Sequence, residues 1–193
     1  MRAITFDIES ISDSLVRGHI DVNEQELTVV AIHDSDTGEY SSYFREDLPK
    51  LWPLLERADM LIGFNSDVFD IPLLNRYYPG SLSHIRSLDL LAEVQKVLGR
   101  RIRLQSLAEA TLGRGKKGDG LKAGEWWKEG KKNKVAEYCI EDVRLTRELY
   151  DYALTNGVLK YKDLRDIRDI KVDTSLWNQS DVTIPAMTHA LPL

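Results

Sequence analysis

The alternation of apolar and polar positions at the start of the chain predicts a β-strand. Residues 3–8 are rich in β-branched and aromatic side chains, which favour strands. Because side chains on a strand alternate between its two faces, Asp7 and Glu9 are expected on the face opposite Phe6. The repulsion between two such carboxylates favours a cation beside them, and oxygen ligands suit a divalent one. For so short a motif, a solvated strand end is the alternative.

The rest of the chain alternates strand-like and helix-like patterns. Further strands are predicted at 27–33, 40–44, 59–64 and 85–88, the first two forming a hairpin. Helices are predicted at 46–58, from Pro72 to residue 77, and at 89–98, 104–112 and 131–155. Three strands, followed by helices that alternate with two more strands, predict an α/β fold with a mixed five-stranded sheet flanked by helices.

The charge is unevenly distributed along the chain. The net charge is −5, yet residues 96–134 carry twelve Lys and Arg against four acids, a local balance of +8. A basic, glycine-rich loop is predicted at 114–130 within this segment. Such a concentrated positive segment is a candidate contact for a polyanion. The alternative is a solvated loop that happens to be basic.

The composition is that of an ordinary globular protein, with 42% hydrophobic and 30% charged residues among 193. No apolar run is long enough to cross a bilayer, and no signal pattern opens the chain. The single cysteine, Cys139, excludes an internal disulfide and fits a reducing compartment, so a cytoplasmic location is expected. We expect one domain at 1–157 and a C-terminal tail at 158–193, which docks on the body or on a partner.

A second acidic motif follows the predicted strand at 59–64. Asp67 and Asp70 both lie in the segment Gly63–Pro72, and both residue types are common in turns and at helix starts. Asp70 is the preferred site residue, because it adjoins Pro72 at the start of a helix whose dipole stabilises its charge. Asp67 is expected to satisfy the turn.

A third motif lies on the predicted helix at 131–155. Tyr138 and Asp142 fall on the same helical stripe as Val135 and Leu145, so Asp142 is expected in the core. An unpaired buried charge is costly, which indicates a cation or a strong donor nearby. The alternative is an ion pair with Arg144 or Arg147.

Taken in order, the three motifs resemble those of the DEDD 3′–5′ exonucleases. The motifs are Asp-x-Glu at a strand end, Asn-x-x-x-Phe-Asp at a strand-to-helix junction, and Tyr-x-x-x-Asp on a late helix. The tyrosine subtype (DEDDy) fits, because the histidine subtype would need histidine where this chain has Glu137. The likeness covers residues 2–152, above all to the proofreading exonuclease domain of family B DNA polymerases and its stand-alone bacterial relatives. It implies a ribonuclease H-like fold.

The resemblance also implies a site and a reaction. The metal-binding acids fall on Asp7, Glu9, Asp70 and Asp142, and the catalytic tyrosine on Tyr138. They would hold two divalent cations, Mg²⁺ or Mn²⁺: Asp7 bridging both, Glu9 and Asp142 on the water-bearing ion, and Asp70 on the other. The implied activity is hydrolysis of single-stranded DNA from the 3′ end to nucleoside monophosphates. An exoribonuclease and a catalytically idle nucleic-acid-binding domain are the alternatives.

Substrate contacts are expected around these acids. By resemblance, Ser10 and Ile11 follow the first motif at the terminal nucleotide, and Asn65 and Phe69 lie beside the same cleft. By charge, the candidate phosphate contacts are Lys116, Lys117 and Lys122. Trp126 and Trp127 are candidates for stacking on a base, with support of the loop by a buried tryptophan as the alternative.

Overall fold

Five strands form one mixed sheet in a computed structural model that describes residues 1–12, 21–115 and 121–179. The strands are β1 (Ala3–Ile11), β2 (Glu26–Asp34), β3 (Tyr40–Phe44), β4 (Met60–Gly63) and β5 (Arg86–Asp89). Their order is β3-β2-β1-β4-β5. The pairs β1–β2 and β2–β3 are antiparallel, whereas β1–β4 and β4–β5 are parallel. The predicted fold class is therefore confirmed.

Six α-helices accompany the sheet within the described ranges. They are α1 (Leu48–Leu55), α2 (Asp70–Asn75), α3 (Leu90–Leu98), α4 (Leu104–Leu112), α5 (Leu121–Lys128) and α6 (Lys132–Asn156). Single 3-10 turns lie at Val22–Glu24, Arg45–Asp47 and Leu82–His84. None of the helices in these ranges combines the length and apolar character that a bilayer crossing requires.

The largest difference from the predicted elements is α5, which occupies part of the segment predicted as a loop. The lysines and Gly124 of this segment led to the prediction of a loop. The segment nevertheless forms a short helix, in which Ala123 is buried and the two tryptophans pack against a core cluster shared with β2 and α6. The helix predicted at 46–58 is shorter than expected, because the chain enters it through a 3-10 turn at Arg45–Asp47 and leaves it after Leu55.

Strand β1 is central and separates two cores. Its Ile4, Phe6 and Ile8 side chains pack with α1 and α2 on one side of the sheet. The residues between them face the other side, where α6 lies across β1 and β2. The predicted alternation of β1 is thus confirmed, and it directs Asp7 and Glu9 toward α6.

A hairpin follows α6 and packs on the body of the protein. Its strands are β6 (Val158–Asp163) and β7 (Asp166–Lys171). Leu159 and Ile170 are fully buried in a core shared with α4 and α6, and the Trp177 ring stacks on Tyr150 with centroids 5.7 Å apart. Arg86 donates to the carbonyl oxygens of Leu176 and Gln179. The described part of the predicted tail therefore contributes to the core, while the domain division at residue 157 stays a prediction.

Candidate metal centre and adjoining cleft

Three carboxylates from distant parts of the chain converge between β1 and α6. Asp7, Glu9 and Asp142 each offer an oxygen atom, and these atoms lie within 4.8 Å of one another. Asp142 is only 5% exposed, whereas Asp7 and Glu9 are partly buried. The alternation along β1 and the helical stripe on α6 are the two patterns that bring them together.

An irregularity in the β1–β2 ladder lies directly at this centre. The register of the β1–β2 ladder shifts between Glu9 and Ser10, so that Thr28 is left between two paired positions. The Thr28 hydroxyl donates to the Glu9 carbonyl oxygen at 2.8 Å. Bulges of this kind bend a strand and redirect its side chains. Thr28 therefore fixes the backbone that carries Glu9, a role that no pattern in the sequence predicts.

Cys139 underlies the same centre from the α6 side. Its fully buried thiol donates to the Asp7 carbonyl oxygen at 3.3 Å and to the Asp7 Oδ2 atom at 3.5 Å. Burial raises the pKa of the thiol well above its usual range, and the charges of Asp7 and Glu9 raise it further. The thiol is therefore a neutral donor that holds the Asp7 carboxylate. In the sequence, Cys139 lies on the same helical stripe as Val135 and Asp142, and this position could have indicated its contact with the site.

The donor set fits a hard divalent cation. All three groups are carboxylates, which suit Mg²⁺ and Mn²⁺, whereas zinc usually recruits nitrogen or sulfur. Their mutual repulsion in a partly buried position also favours a bound positive charge. The arginines considered as alternatives are directed elsewhere, Arg144 toward Glu141 and Arg147 toward Asp151.

Asp70 lies outside this group of three and contacts β1 differently. The pairing of β4 with β1 ends at Thr5. Beyond that point, Asp70 Oδ1 accepts the backbone N–H of Ile8 at 3.1 Å. Burial raises the pKa of Asp70 to about 7, opposed by the hydrogen bonds from the N–H groups of Ile8 and of Asp70 itself. Asp70 thus serves as an edge partner of β1, one residue from Asp7 along that strand.

The turn before α2 depends on a different acid. Asp89 accepts the N–H groups of Asn65 at 2.7 Å and Asp67 at 3.2 Å, and it caps α3 through the N–H groups of Leu91 and Ala92. Burial raises the pKa of Asp89, and the hydrogen bonds from Asn65 and Asp67 oppose that shift. Sequence reasoning missed this role, because its partners in the turn are tertiary.

The tight path of the same turn also requires Gly63. A Cβ atom at that position would lie 2.4 Å from the Ser66 side chain. Asp67 accepts the Ser87 hydroxyl at 2.5 Å, which gives it a partner within the β4–β5 region. The turn is therefore fixed by local sterics and by neighbouring hydrogen bonds.

The predicted substrate contacts lie in varied surroundings. The Ser10 hydroxyl donates to Gln25 at 3.0 Å, and Ile11 is the last residue of β1. Asn65 has φ +69° and accepts from Arg101, while Phe69 directly precedes α2 and packs on the core of α1 and α2. The three lysines predicted to contact phosphate differ in whether the structure describes them. Lys122 is exposed on α5. Lys116 and Lys117 lie outside the described residues.

A cavity of about 620 Å³ adjoins Tyr138. The described side chains that line it are those of Arg114, Trp126, Lys134, Glu137, Tyr138 and Glu141. The Trp126 ring meets the Tyr138 ring edge-on, with centroids 6.1 Å apart and an interplanar angle of 73°. Arg114 forms ion pairs with Glu141 and Glu148. Tyr138, one helical turn before Asp142, therefore joins the carboxylate centre to a cleft with an aromatic wall.

The fold and the acidic centre are accompanied by a family match. The sequence model of the RNase H superfamily matches residues 4–154, and the chain belongs to this superfamily. The predicted superfamily is confirmed, and membership supports a nucleic-acid hydrolase. A search of curated protein sequences found no match.

Among solved structures, the chain is similar to the family B DNA polymerase from the hyperthermophilic archaeon Pyrobaculum calidifontis. The TM-score is 0.62 at 22% sequence identity, over 79% of this chain and 24% of the polymerase chain. This chain therefore spans about a quarter of the polymerase that it matches. The likeness supports the fold, and the predicted resemblance to family B polymerases is confirmed at that level.

Proposed function

We propose that the protein is a metal-dependent 3′–5′ exonuclease that hydrolyses single-stranded DNA to nucleoside monophosphates. The observation that carries the proposal is the convergence of Asp7, Glu9 and Asp142 within 4.8 Å, on a fold of the RNase H superfamily. The direction and the DNA substrate rest on the order of the three motifs and on their resemblance to polymerase proofreading domains. The cytoplasmic location stays a prediction.

The carboxylates would hold two divalent cations. Asp7, Glu9 and Asp142 supply the convergent oxygens, and Asp70 would contribute as the fourth acid, mainly through water. Bound Mg²⁺ or Mn²⁺ would neutralise the phosphate and lower the pKa of the attacking water. The protein contributes position and charge, which is what phosphodiester hydrolysis mainly requires.

Tyr138 is proposed to orient the attacking water. A free tyrosine hydroxyl has a pKa of about 10, so it is a poor base at neutral pH. The residue is only 6% exposed and its ring packs edge-on with Trp126, which limits its freedom to reorient. A well-fixed hydroxyl one turn before Asp142 suits a positioning role.

The test uses DNA and RNA oligonucleotides labelled at either end, incubated with Mg²⁺, Mn²⁺ or EDTA. We expect 5′-labelled DNA to shorten one nucleotide at a time and 3′-labelled DNA to release labelled monophosphate at once, only with metal. Faster digestion of RNA would indicate the exoribonuclease. Retained binding without digestion under any metal would indicate the idle domain and overturn the proposal. The matched controls are Asp142→Asn and Asp151→Asn, two acids on the same helix of which only the first belongs to the centre.

A further inference from the structure

The described lining of the cleft beside Tyr138 combines two aromatic rings, those of Trp126 and Tyr138, with four charged side chains. Among the lining residues that the structure describes, Arg114 and Lys134 are positive and Glu137 and Glu141 are negative, so these four charges cancel. Arg114 is moreover bound to Glu141 at 2.8 Å and to Glu148. This described part of the lining offers a phosphate group no excess of positive charge. A neutral, planar group with hydrogen-bonding edges fits this chemistry better.

We infer that this cleft is a nucleobase subsite, in which Trp126 stacks on a base of the single strand next to the scissile bond. The inference rests on the proposed function and names the part of the substrate that the cleft takes. Its volume of about 620 Å³ lies within the range of small-ligand sites. Stacking on an aromatic side chain is the usual way in which proteins hold unpaired bases without selecting their sequence.

The neighbouring tryptophan has a different environment, although both are partly exposed and lie on α5. Trp127 packs on Phe44, with ring centroids 6.3 Å apart, and the Lys132 ammonium group lies 5.0 Å from its ring centroid. Trp127 does not line the cleft. The two candidates for base stacking are thereby distinguished: Trp126 faces the substrate and Trp127 fastens α5 to the end of β3.

Lys122 adds to the same side of α5. It lies four residues before Trp126, so the two side chains share one side of the helix, and Lys122 is exposed. A cation next to a stacking ring suits a strand whose base enters the cleft while its phosphate stays in solvent. The backbone would therefore run outside the cleft, past α5.

The experiment measures binding in EDTA, where the strand remains intact. The probes are a twelve-residue thymidine oligonucleotide and the same strand with abasic sites at its last three 3′ positions. We expect Trp126→Leu to weaken binding of the intact strand by about tenfold and to abolish its preference over the abasic strand. Trp127→Leu should keep both the affinity and the preference, and Trp126→Phe should restore part of each.

Two further readouts separate stacking from a structural effect. Loss of stacking should leave the slope of affinity against salt unchanged, because that slope reports phosphate contacts. Binding should also quench tryptophan fluorescence in Trp127→Leu but not in Trp126→Leu, since Trp52 and Trp177 are buried. If Trp126→Leu fails to fold, Trp126→Phe and the quenching in Trp127→Leu decide.

The outcomes distinguish this inference from the proposed function. Unchanged affinity and preference in Trp126→Leu, with metal-dependent digestion by the natural protein, would overturn the nucleobase subsite alone. Loss of digestion in every metal, with the abasic preference present and dependent on Trp126, would overturn the exonuclease and retain the subsite. Equal binding of intact and abasic strands by the natural protein would also overturn the subsite.

Discussion

Two groups of acids at one end of the sheet have different roles, although their residues look alike in sequence. Asp7, Glu9 and Asp142 bring carboxylate oxygens within 4.8 Å of one another. Asp89 and Asp70 instead direct theirs at backbone N–H groups of the turn, of α3 and of β1. The first group concentrates negative charge, whereas the second satisfies the backbone.

The difference follows from where each acid stands on its element. An acid on the inner face of a strand or helix, among apolar neighbours, can only meet other side chains. Asp89, just before α3, lies among N–H groups that lack partners within the helix. Asp70 instead faces the N–H group of Ile8, beyond the point where the pairing of β4 with β1 ends. Position therefore separates acids available for chemistry from those that maintain the fold.

The largest effect is expected at the convergent acids. Asp142→Asn should lower the rate of DNA hydrolysis by about 10³-fold or more, because several kcal/mol of charge stabilisation depend on the cations held there. The metal-free protein should be at least as stable as before, since one of three repelling charges is removed. Hydrolysis rates and urea unfolding in EDTA check both parts. A destabilised but active variant would assign Asp142 to the fold instead.

Asp89→Ala should show the opposite behaviour. The free energy of unfolding should fall by about 2–4 kcal/mol, because a helix cap is lost and N–H groups of the turn are left without an acceptor. The folded fraction should hydrolyse DNA with its rate reduced far less than in Asp142→Asn. Urea unfolding measures the first effect, and rates per folded molecule measure the second. Asp89→Asn, which keeps one carbonyl acceptor, is the milder control.

Tyr138→Phe should leave both the carboxylates and the packing in place. We expect the turnover rate to fall by about 10²-fold, because an incorrectly oriented nucleophile reacts slowly. The Mn²⁺ affinity measured by calorimetry should stay within about twofold of the natural value. An unchanged turnover rate would remove Tyr138 from the reaction.

Asp70 tests the boundary between the two groups. Asp70→Asn keeps an oxygen that can accept from Ile8 but removes the charge. If Asp70 also holds a cation, turnover should fall by about tenfold, and more metal should be needed for half-maximal rate. Metal titrations of the rate provide the measurement. Natural metal dependence in Asp70→Asn would place this acid entirely with the fold.

Asp34 gives the smallest effect and a contrasting case, an acid paired with a cation far from the site. Arg2 donates to both Asp34 oxygens and holds the pKa of this carboxyl below its usual range. The ion pair should contribute about 1–2 kcal/mol to the free energy of unfolding. This contribution should be complete above pH about 4, the ordinary pKa of Asp, and should be lost as the pH falls through the folded-state pKa. Unfolding at pH 7 and at pH 3 should show a smaller loss of stability for Asp34→Asn than for the natural protein. An equal loss would contradict this.

The sequence predicted those parts of the site that depend on periodicity. Asp7 and Glu9 share a face because strands alternate, and Asp142 lies on the apolar stripe of α6. Both patterns are local and repeat over several residues, so the folded structure retains them. The order of strands and helices predicted the sheet because each of those elements also has a local, repeating pattern.

The parts that sequence reasoning missed depend on contacts between distant segments. No residue near Asp89 in the sequence indicates that Asp89 would organise the turn at 65–67. Asp70 was favoured because a helix dipole would stabilise its charge, but that argument does not predict which group its carboxylate contacts. Helix α5 was hidden by its lysines and Gly124. The hairpin of β6 and β7 was hidden because most of its side chains are exposed, with Leu159 and Ile170 its fully buried members.

The hairpin after α6 bears on how the protein is best shortened. Truncation at Gly157 would strip Leu159, Ile170 and Trp177 from the flank of the helix that carries Tyr138 and Asp142. The exposed apolar flank would favour aggregation, and the C-terminal half of the helix would lose packing contacts. A minimal active fragment should therefore extend through Gln179.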